Sequence, residues 1–161
     1  MRVNGPLSFA SARPRVAGMN RIVEVLFGPL LTVHQWLYET SDGRIGVSLG
    51  GRPMLLLRTV GRRSGQPRTA ALLYVRDGDA YAIVASKGGA PKHPAWFHNL
   101  IAQPDVEIQV GRERIRTRAR IASGEERARL WARADEVNQG QYAEYQSRTS
   151  RVIPVVVLEP R

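Results

Sequence analysis

The sequence predicts an α+β domain that consists mainly of an antiparallel β-sheet. Six apolar runs with strand character follow one another between residues 54 and 158. Only short turns separate the first three runs, and the Asp77-Gly78 pair between the second and third is typical of a tight hairpin. A doubly wound fold would need a helix between consecutive strands, so this spacing favours antiparallel pairing. Helical periodicity near residues 30 and 130 supplies the α component.

Strand boundaries follow from the turn residues that interrupt the apolar runs. The predicted strands are Met54–Val60, Arg68–Arg76, Ala80–Ala85, Val106–Val110, Arg114–Ile121 and Val152–Leu158. The last run contains Pro154, which cannot donate a ladder hydrogen bond and therefore predicts an edge position or a bulge.

The fifth strand alternates apolar or small residues with a row of arginines: Arg114, Arg116, Arg118 and Arg120. Alternate residues of a strand lie on the same face, so the four guanidiniums share one face of the sheet. Such a row could bind polyphosphate or nucleic acid. Because no aromatic side chains are interleaved for base stacking, a solvated outer face is the favoured interpretation.

Helical patterns occur at three further places. Apolar residues recur at three- and four-residue spacing over residues 19–38, with Gly28-Pro29 as a break. A short helix is predicted after Pro94. Ser123 and Glu126 have the spacing of a capping box and predict the start of another helix.

The domain organisation is simple. Residues 1–18 show no apolar periodicity and predict a loose tail, and residues 19–161 then form a single domain. The 19–38 helix is too short and too interrupted by charges to span a membrane convincingly. We expect it to cover the core, with a peripheral membrane contact as the alternative. The N-terminus lacks the continuous apolar stretch of a signal peptide, so we expect a cytoplasmic protein.

Composition narrows the possible chemistry. The chain has 161 residues, a net charge of +10 and a sequence pI near 11.1, which favours anionic ligands, nucleic acid or an anionic surface, unless it is a general arginine bias. It has no cysteine, which excludes disulfides, thiolate catalysis and cysteine-based metal sites. The three histidines, His34, His93 and His98, lack the spacing of a metal motif, so no metal site is predicted.

Two glycine-containing basic loops are the candidate binding elements. Gly61-Arg62-Arg63-Ser64-Gly65 follows the first strand, and Ser86-Lys87-Gly88-Gly89 follows the third. The second loop region also holds Lys87 and Lys92, the only lysines among 24 basic residues. Guanidinium, ammonium and backbone N–H groups suit phosphate or carboxylate, so two such loops side by side predict one long polyanionic ligand.

The same region offers an aromatic wall but no catalytic set. Trp96 and Phe97 follow the second loop and could pack against a ring system. No nucleophile, base and acid are arranged at a recognisable spacing. If the protein is an enzyme, a cofactor therefore performs the chemistry.

Two stretches carry a family resemblance: LLLRTVGRRSGQPRTAALLYVRDGDAYAIVASKGGAPKHPAWFHNL and the later YAEYQSRTSRVIPVVVLEP. They resemble the deazaflavin-dependent nitroreductase family, also called the F420H2-dependent quinone reductases. The resemblance covers about residues 50–161 and implies a split β-barrel related to the FMN-binding barrels, with an N-terminal helix and two or three further helices. Residues 53–161 would form the cofactor-binding barrel. The implied cofactor is coenzyme F420, a 5-deazaflavin with a phosphodiester and an anionic polyglutamate tail.

The resemblance also implies the residues of the site. Four match positions on the phosphate and tail side of the cofactor: Arg62, Arg63, Ser64 and Arg68. The deazaflavin ring would lie along the second strand and meet the end of the third: Thr69, Ala70, Ala71, Leu72, Leu73, Ala85, Ser86 and Lys87. A helix start would close over it: Ala95, Trp96, Phe97, His98 and Asn99. Tyr142 and Tyr145 match tyrosines near the reactive ring face, with core packing as the alternative. Ala70-Ala71 replaces the family's common Thr/Pro pair.

The implied activity is hydride transfer from reduced deazaflavin to a quinone, a nitroaromatic or another electron-poor acceptor. Ser86, Tyr142 and Tyr145 are the candidate catalytic residues, which could hydrogen-bond the acceptor and assist its protonation. The alternatives are an FMN- or haem-binding split-barrel protein, a non-catalytic F420 binder and, less favoured, a basic nucleic-acid-binding module. A monomer or a homodimer is expected.

Overall fold

The computed structural model describes residues 48–49 and 51–161. The predicted tail of residues 1–18 and the predicted helix of residues 19–38 lie outside this part of the chain. None of the helices in the described part combines the length and the apolar character that a membrane crossing needs.

Seven strands and three α-helices make up the described fold. The strands are β1 (Ser48–Leu49), β2 (Arg52–Val60), β3 (Pro67–Asp77), β4 (Ala80–Val84), β5 (Asp105–Val110), β6 (Glu113–Ile121) and β7 (Val155–Pro160). The helices are α1 (Ala95–Ala102), α2 (Gly124–Val137) and α3 (Gln141–Ser147), and a 3-10 turn covers Lys87–Gly89.

The sheet closes on itself. The strand order is β1-β2-β3-β4-β7-β6-β5, and β2 also pairs with β5. Every pairing is antiparallel, and the closing seam aligns Leu57 with Ile108 and Arg58 with Glu107. Strands β2 to β7 therefore form a closed six-stranded antiparallel barrel. The predicted split β-barrel is confirmed.

Two apolar cores lie on the two faces of the same strands. The inside of the barrel is filled by residues such as Leu57, Ile83 and Ile108. Ala82 and Val84 alternate with Ile83 along β4 and belong to the second core, beneath α2 and α3. Because both faces are covered, these strands appear in the sequence as continuous apolar runs.

The prediction of an edge position or a bulge for the last strand is wrong. Strand β7 pairs with β4 on one side and with β6 on the other, so it lies inside the sheet. Pro154 directly precedes the strand, where no ladder N–H is required of it. Its carbonyl accepts a hydrogen bond of 2.9 Å from the Ala85 backbone N–H.

The capping box predicted at the start of α2 is not formed, although the helix begins where expected. Ser123 occupies the N-cap position without a side-chain capping hydrogen bond. Both oxygens of the Glu126 carboxylate accept hydrogen bonds from the Arg120 guanidinium, at 2.6 and 2.7 Å. Because its carboxylate is bound to Arg120, the Glu126 side chain does not reach back to the backbone N–H of the N-cap residue.

The arginine row of β6 is paired with acidic residues. Three of its four members form ion pairs: Arg114 with Glu107, Arg118 with Asp105, and Arg120 with both Glu126 and Glu159. Much of the positive charge on this face is thus balanced locally. The row supports the interpretation as a solvated outer face.

The closing seam gives a prediction for stability. Ile108 is fully buried at the β2–β5 pairing, so we expect Ile108→Ala to lower the free energy of unfolding by about 2–5 kcal/mol. Ile101→Ala is the matched control, because Ile101 is 59% exposed and its truncation should cost less than about 0.5 kcal/mol. Denaturant unfolding measures both values. Equal losses in the two variants would contradict the assignment of the seam as a core element.

Candidate functional site

The two glycine-containing loops predicted from the sequence line one groove. The groove has a volume of about 620 Å³, in the range of small-molecule sites, and is open to solvent. Its lining includes many of the predicted cofactor residues: Arg62, Arg63, Ser64, Arg68, Thr69, Ala70, Lys87, Ala95, Trp96, His98 and Asn99. We call it the basic groove.

The charge of the basic groove has one sign. No carboxylate is among its described lining residues. Five cationic side chains line it: Arg62, Arg63, Arg68, Lys87 and Lys92. Within the described part of the chain, none of the five forms an ion pair, whereas the β6 arginines largely do. Cations without acidic partners are available to an anionic ligand.

Asn99 holds the first loop in place. Its side-chain carbonyl accepts a hydrogen bond of 3.1 Å from the backbone N–H of Arg62, and its amide donates one of 3.1 Å to Thr59 Oγ1. Asn99 is buried on α1, so these bonds connect the helix, the end of β2 and the loop. The loop itself closes through Gly65 N–H to the Gly61 carbonyl, at 2.8 Å.

The second loop has an unusual backbone and a tight contact. Lys87, Gly88 and Gly89 all have positive φ, at 48°, 63° and 80°, and this conformation is costly for lysine because of its Cβ. A Cβ at residue 89 would overlap the carbonyl oxygen of Tyr145 on α3. Only glycine allows the loop to approach α3 so closely.

The aromatic residues divide between the groove and the core. Trp96 lines the groove together with His93 and His98. Phe97, the other half of the predicted wall, is buried in the barrel core, and the His93 ring lies 4.8 Å from it, centroid to centroid. Successive residues of a helix point in different directions, which separates Trp96 from Phe97.

Some predicted cofactor residues do not line the basic groove. On β3, Leu72 packs against the barrel core and Leu73 against the second core. Ala85 is fully buried, and Ala71 and Ser86 are also outside the groove lining.

The candidate catalytic tyrosines also lie outside the groove lining. Tyr142 is buried in the second core, with its ring 6.2 Å from Trp131 and 6.2 Å from Tyr145, centroid to centroid. Burial raises the pKa of Tyr142 above the ordinary tyrosine value, which makes its hydroxyl a weaker acid than that of an exposed tyrosine. The Tyr145 hydroxyl is 3.2 Å from Gln141 Oε1. The catalytic roles of Ser86, Tyr142 and Tyr145 stay predictions.

Sequence reasoning missed several residues of the groove. Thr59 and His93 line it and lie outside both the predicted loops and the predicted site residues. Lys92 also lines it, although it is absent from the site residues that the resemblance implies. The sequence signal for Lys92 was its position near Lys87, the only other lysine of the chain, in the same loop region.

A second open groove, of about 660 Å³, shares Thr59 with the first. It is lined by Arg58 and Arg116 but also by Asp105 and Glu107. The acidic side chains pair with arginines and leave a mixed surface. The basic groove is therefore the better candidate for a polyanion.

Comparison with known proteins places this chain among deazaflavin-dependent reductases. It is 53% identical over 135 residues to an F420H(2)-dependent quinone reductase of Mycobacterium tuberculosis, covering 82% of this chain and 91% of the relative. A solved structure of an F420-H2 dependent reductase, FDR-A, is 45% identical with a TM-score of 0.62, covering 67% of this chain and 95% of that chain. A second solved structure, described only as a domain-swapped dimer, is 40% identical with a TM-score of 0.64, covering 81% of this chain and 99% of that chain.

The sequence model of one family spans most of the chain. The F420H(2)-dependent quinone reductase model matches residues 30–160. This match and the 53% identity confirm the resemblance deduced from the sequence. The chain belongs to the F420H(2)-dependent quinone reductase family.

Proposed function

We propose that the basic groove binds reduced coenzyme F420 and that the protein transfers a hydride from it to a quinone. Membership of the family makes the chain an oxidoreductase that depends on F420H2. The observation that carries the location is the junction of the two basic loops in one groove, with five cations and no carboxylate among the described lining residues.

The chemistry of the groove fits the cofactor. The phosphodiester and the carboxylates of the tail require cations and N–H donors, which the loops around Arg63 and Lys87 supply. The deazaflavin ring requires a flat apolar surface, which Trp96 and the small side chain of Ala70 offer. The groove thus offers cations for the anionic part of the cofactor and a flat apolar surface for its ring.

The protein contributes binding, orientation and exclusion of water. Reduced F420, when bound, supplies the hydride. The basic loops hold the anionic part, so that the ring is fixed relative to the acceptor. Helix α1 begins with Ala95 and Trp96 at the groove, and these residues would shield the ring from water.

The acceptor takes up a proton as well as the hydride. Ser86 and Tyr145 remain the proposed donors, and Tyr142 is the third candidate, although its raised pKa makes it a weaker acid than an exposed tyrosine. Its burial beside Trp131 also favours the alternative, which is packing.

We also propose that nitroaromatics with accessible low-energy acceptor states can replace the quinone. The relative described as a domain-swapped dimer supports a homodimer.

Oxidation of F420H2 tests the proposed function. We expect turnover with menadione and other quinones, followed by the absorbance of the oxidised cofactor. Titration with F420, FMN and haem is the control, and we expect only F420 to bind tightly. Tight FMN or haem binding without F420 affinity would contradict the proposal, and F420 binding without turnover would favour a non-catalytic binder.

The anionic part of the cofactor should provide much of the affinity. We expect Arg63→Met and Lys87→Met each to weaken F420 binding by roughly ten- to hundredfold, because each removes a charge-assisted contact. Fluorescence titration measures the dissociation constant. Arg129→Met is the matched control, since Arg129 pairs with Asp77 at the far end of β3. A deazaflavin without phosphodiester and tail should bind equally to all four proteins. Undiminished F420 affinity in both groove variants would place the tail elsewhere.

Substitution of Tyr142 separates packing from proton donation. Because the ring is buried in the second core, we expect Tyr142→Phe to keep kcat within about twofold and Tyr142→Ala to lose about 3 kcal/mol of stability. Steady-state kinetics and thermal unfolding measure the two effects. A loss of about 100-fold in kcat for Tyr142→Phe, the size expected for a lost transition-state donor, would assign the hydroxyl a catalytic role.

A further inference from the structure

We propose that Arg151 is the positioning residue of the basic groove, because its guanidinium fixes both the loop that carries Lys87 and the ring of His93. The inference rests on the proposed function in so far as the groove binds F420. It concerns a residue of the Ser-Arg-Thr-Ser-Arg segment that the proposed mechanism does not otherwise use.

Arg151 donates to three backbone carbonyls of the second loop. Its Nε lies 2.8 Å from the Ala90 oxygen, its Nη1 3.2 Å from the Ala85 oxygen and its Nη2 2.6 Å from the Ser86 oxygen. These acceptors lie on both sides of the Lys87–Gly89 turn. One side chain from the segment before β7 therefore holds the two ends of the turn together.

The turn needs such support. Three consecutive residues with positive φ, of which Lys87 is not a glycine, form a strained backbone. On the other side, the Gly89 contact with α3 limits the position of the turn. Arg151 on one side and α3 on the other therefore hold the loop in the conformation in which Lys87 lines the groove.

The fourth contact of Arg151 determines the state of His93. Arg151 Nη1 lies 3.0 Å from His93 Nδ1, and since an arginine can only donate, Nδ1 accepts and is unprotonated. The neutral ring then carries its hydrogen on Nε2. Burial, the charge of Arg151 and the nearby His98 lower the pKa of His93, in that order.

The groove lining therefore contains a neutral histidine whose Nε2–H is a potential hydrogen-bond donor to a ligand. A neutral N–H donor suits a carbonyl oxygen of the deazaflavin ring, whereas the lysines and arginines suit the phosphodiester and the tail. His93 lies beside Phe97 of the barrel core, which limits the rotation of the imidazole.

Arginine is required for this geometry. The guanidinium has five N–H donors in a planar fork, and Arg151 uses three nitrogens for four acceptors in different directions. Lysine has one nitrogen with three hydrogens and cannot reach all four. Arg151→Lys thus keeps the charge and removes the positioning.

The experiment compares Arg151→Lys, Arg151→Met and His93→Phe with wild type and with Arg129→Met as the matched surface control. Nitrogen-15 NMR of the cofactor-free proteins reports the tautomer and the pKa of His93. Fluorescence titration reports the dissociation constant of F420, and steady-state kinetics separate KM for F420H2 from kcat. Thermal unfolding verifies that each variant is folded at the assay temperature.

In wild type and Arg129→Met we expect a single Nε2–H tautomer. In both Arg151 variants we expect mixed tautomers, and in Arg151→Met also a rise of the His93 pKa toward its ordinary value. F420 affinity should fall roughly tenfold or more in the Arg151 variants, with KM affected more than kcat. His93→Phe keeps a flat ring and the arginine but removes both the Nε2–H donor and the Nδ1 acceptor of Arg151. Its affinity loss is therefore compared with that of the Arg151 variants, which keep the imidazole.

Two results would overturn the proposal. One is an unchanged His93 tautomer in Arg151→Met, and the other is wild-type F420 affinity in both folded Arg151 variants. A purely structural role would lower the unfolding temperature and leave both readouts unchanged. Failure of wild type to bind F420 would instead contradict the proposed function, and the NMR comparison would still decide whether Arg151 positions His93.

Discussion

The fold depends on the pairing of β2 along both of its edges. With β3 on one side and β5 on the other, β2 closes the sheet, and its residues 55–57 are fully buried. The end of this strand leads directly into the Gly61–Gly65 loop, and β5 follows α1 after a short connection. Closure therefore brings the first basic loop next to Asn99 on α1, whose two hydrogen bonds complete the wall of the groove.

Much of this could be predicted from local pattern. The strands, the Asp77-Gly78 hairpin and the two basic loops follow from apolar runs and turn residues, and both loops indeed line one groove. Local sequence pattern cannot show which residues from distant parts of the chain become neighbours and compete for the same hydrogen-bonding group. Glu126 has the spacing of a capping residue, but Arg120 is adjacent in space and binds its carboxylate. Pro154 suggests an edge strand, but the sheet places it just before an interior strand.

The site residues show the same limit. The direction of a side chain on a short helix decides whether it reaches the groove, and Trp96 does while Phe97 does not. Tyr142 and Tyr145 were assigned from a resemblance that carries no information on burial in this chain. Arg151 lies about 60 residues beyond the loop that it holds, so its role depends on a contact that only the folded chain reveals.

The positive charge of the chain, +10 in total, is distributed unevenly over the described surface. On β6, acidic partners accompany Arg114, Arg118 and Arg120, so that face has little excess field. In the basic groove, the described lining contains five cations and no such partners. Exposed charges are screened within about 10 Å at 0.1 M salt, so only a local excess attracts a ligand under ordinary conditions. The basic groove therefore differs from the β6 face by a local excess of positive charge, and this excess supports the proposal that a polyanion binds where Trp96 and His93 lie.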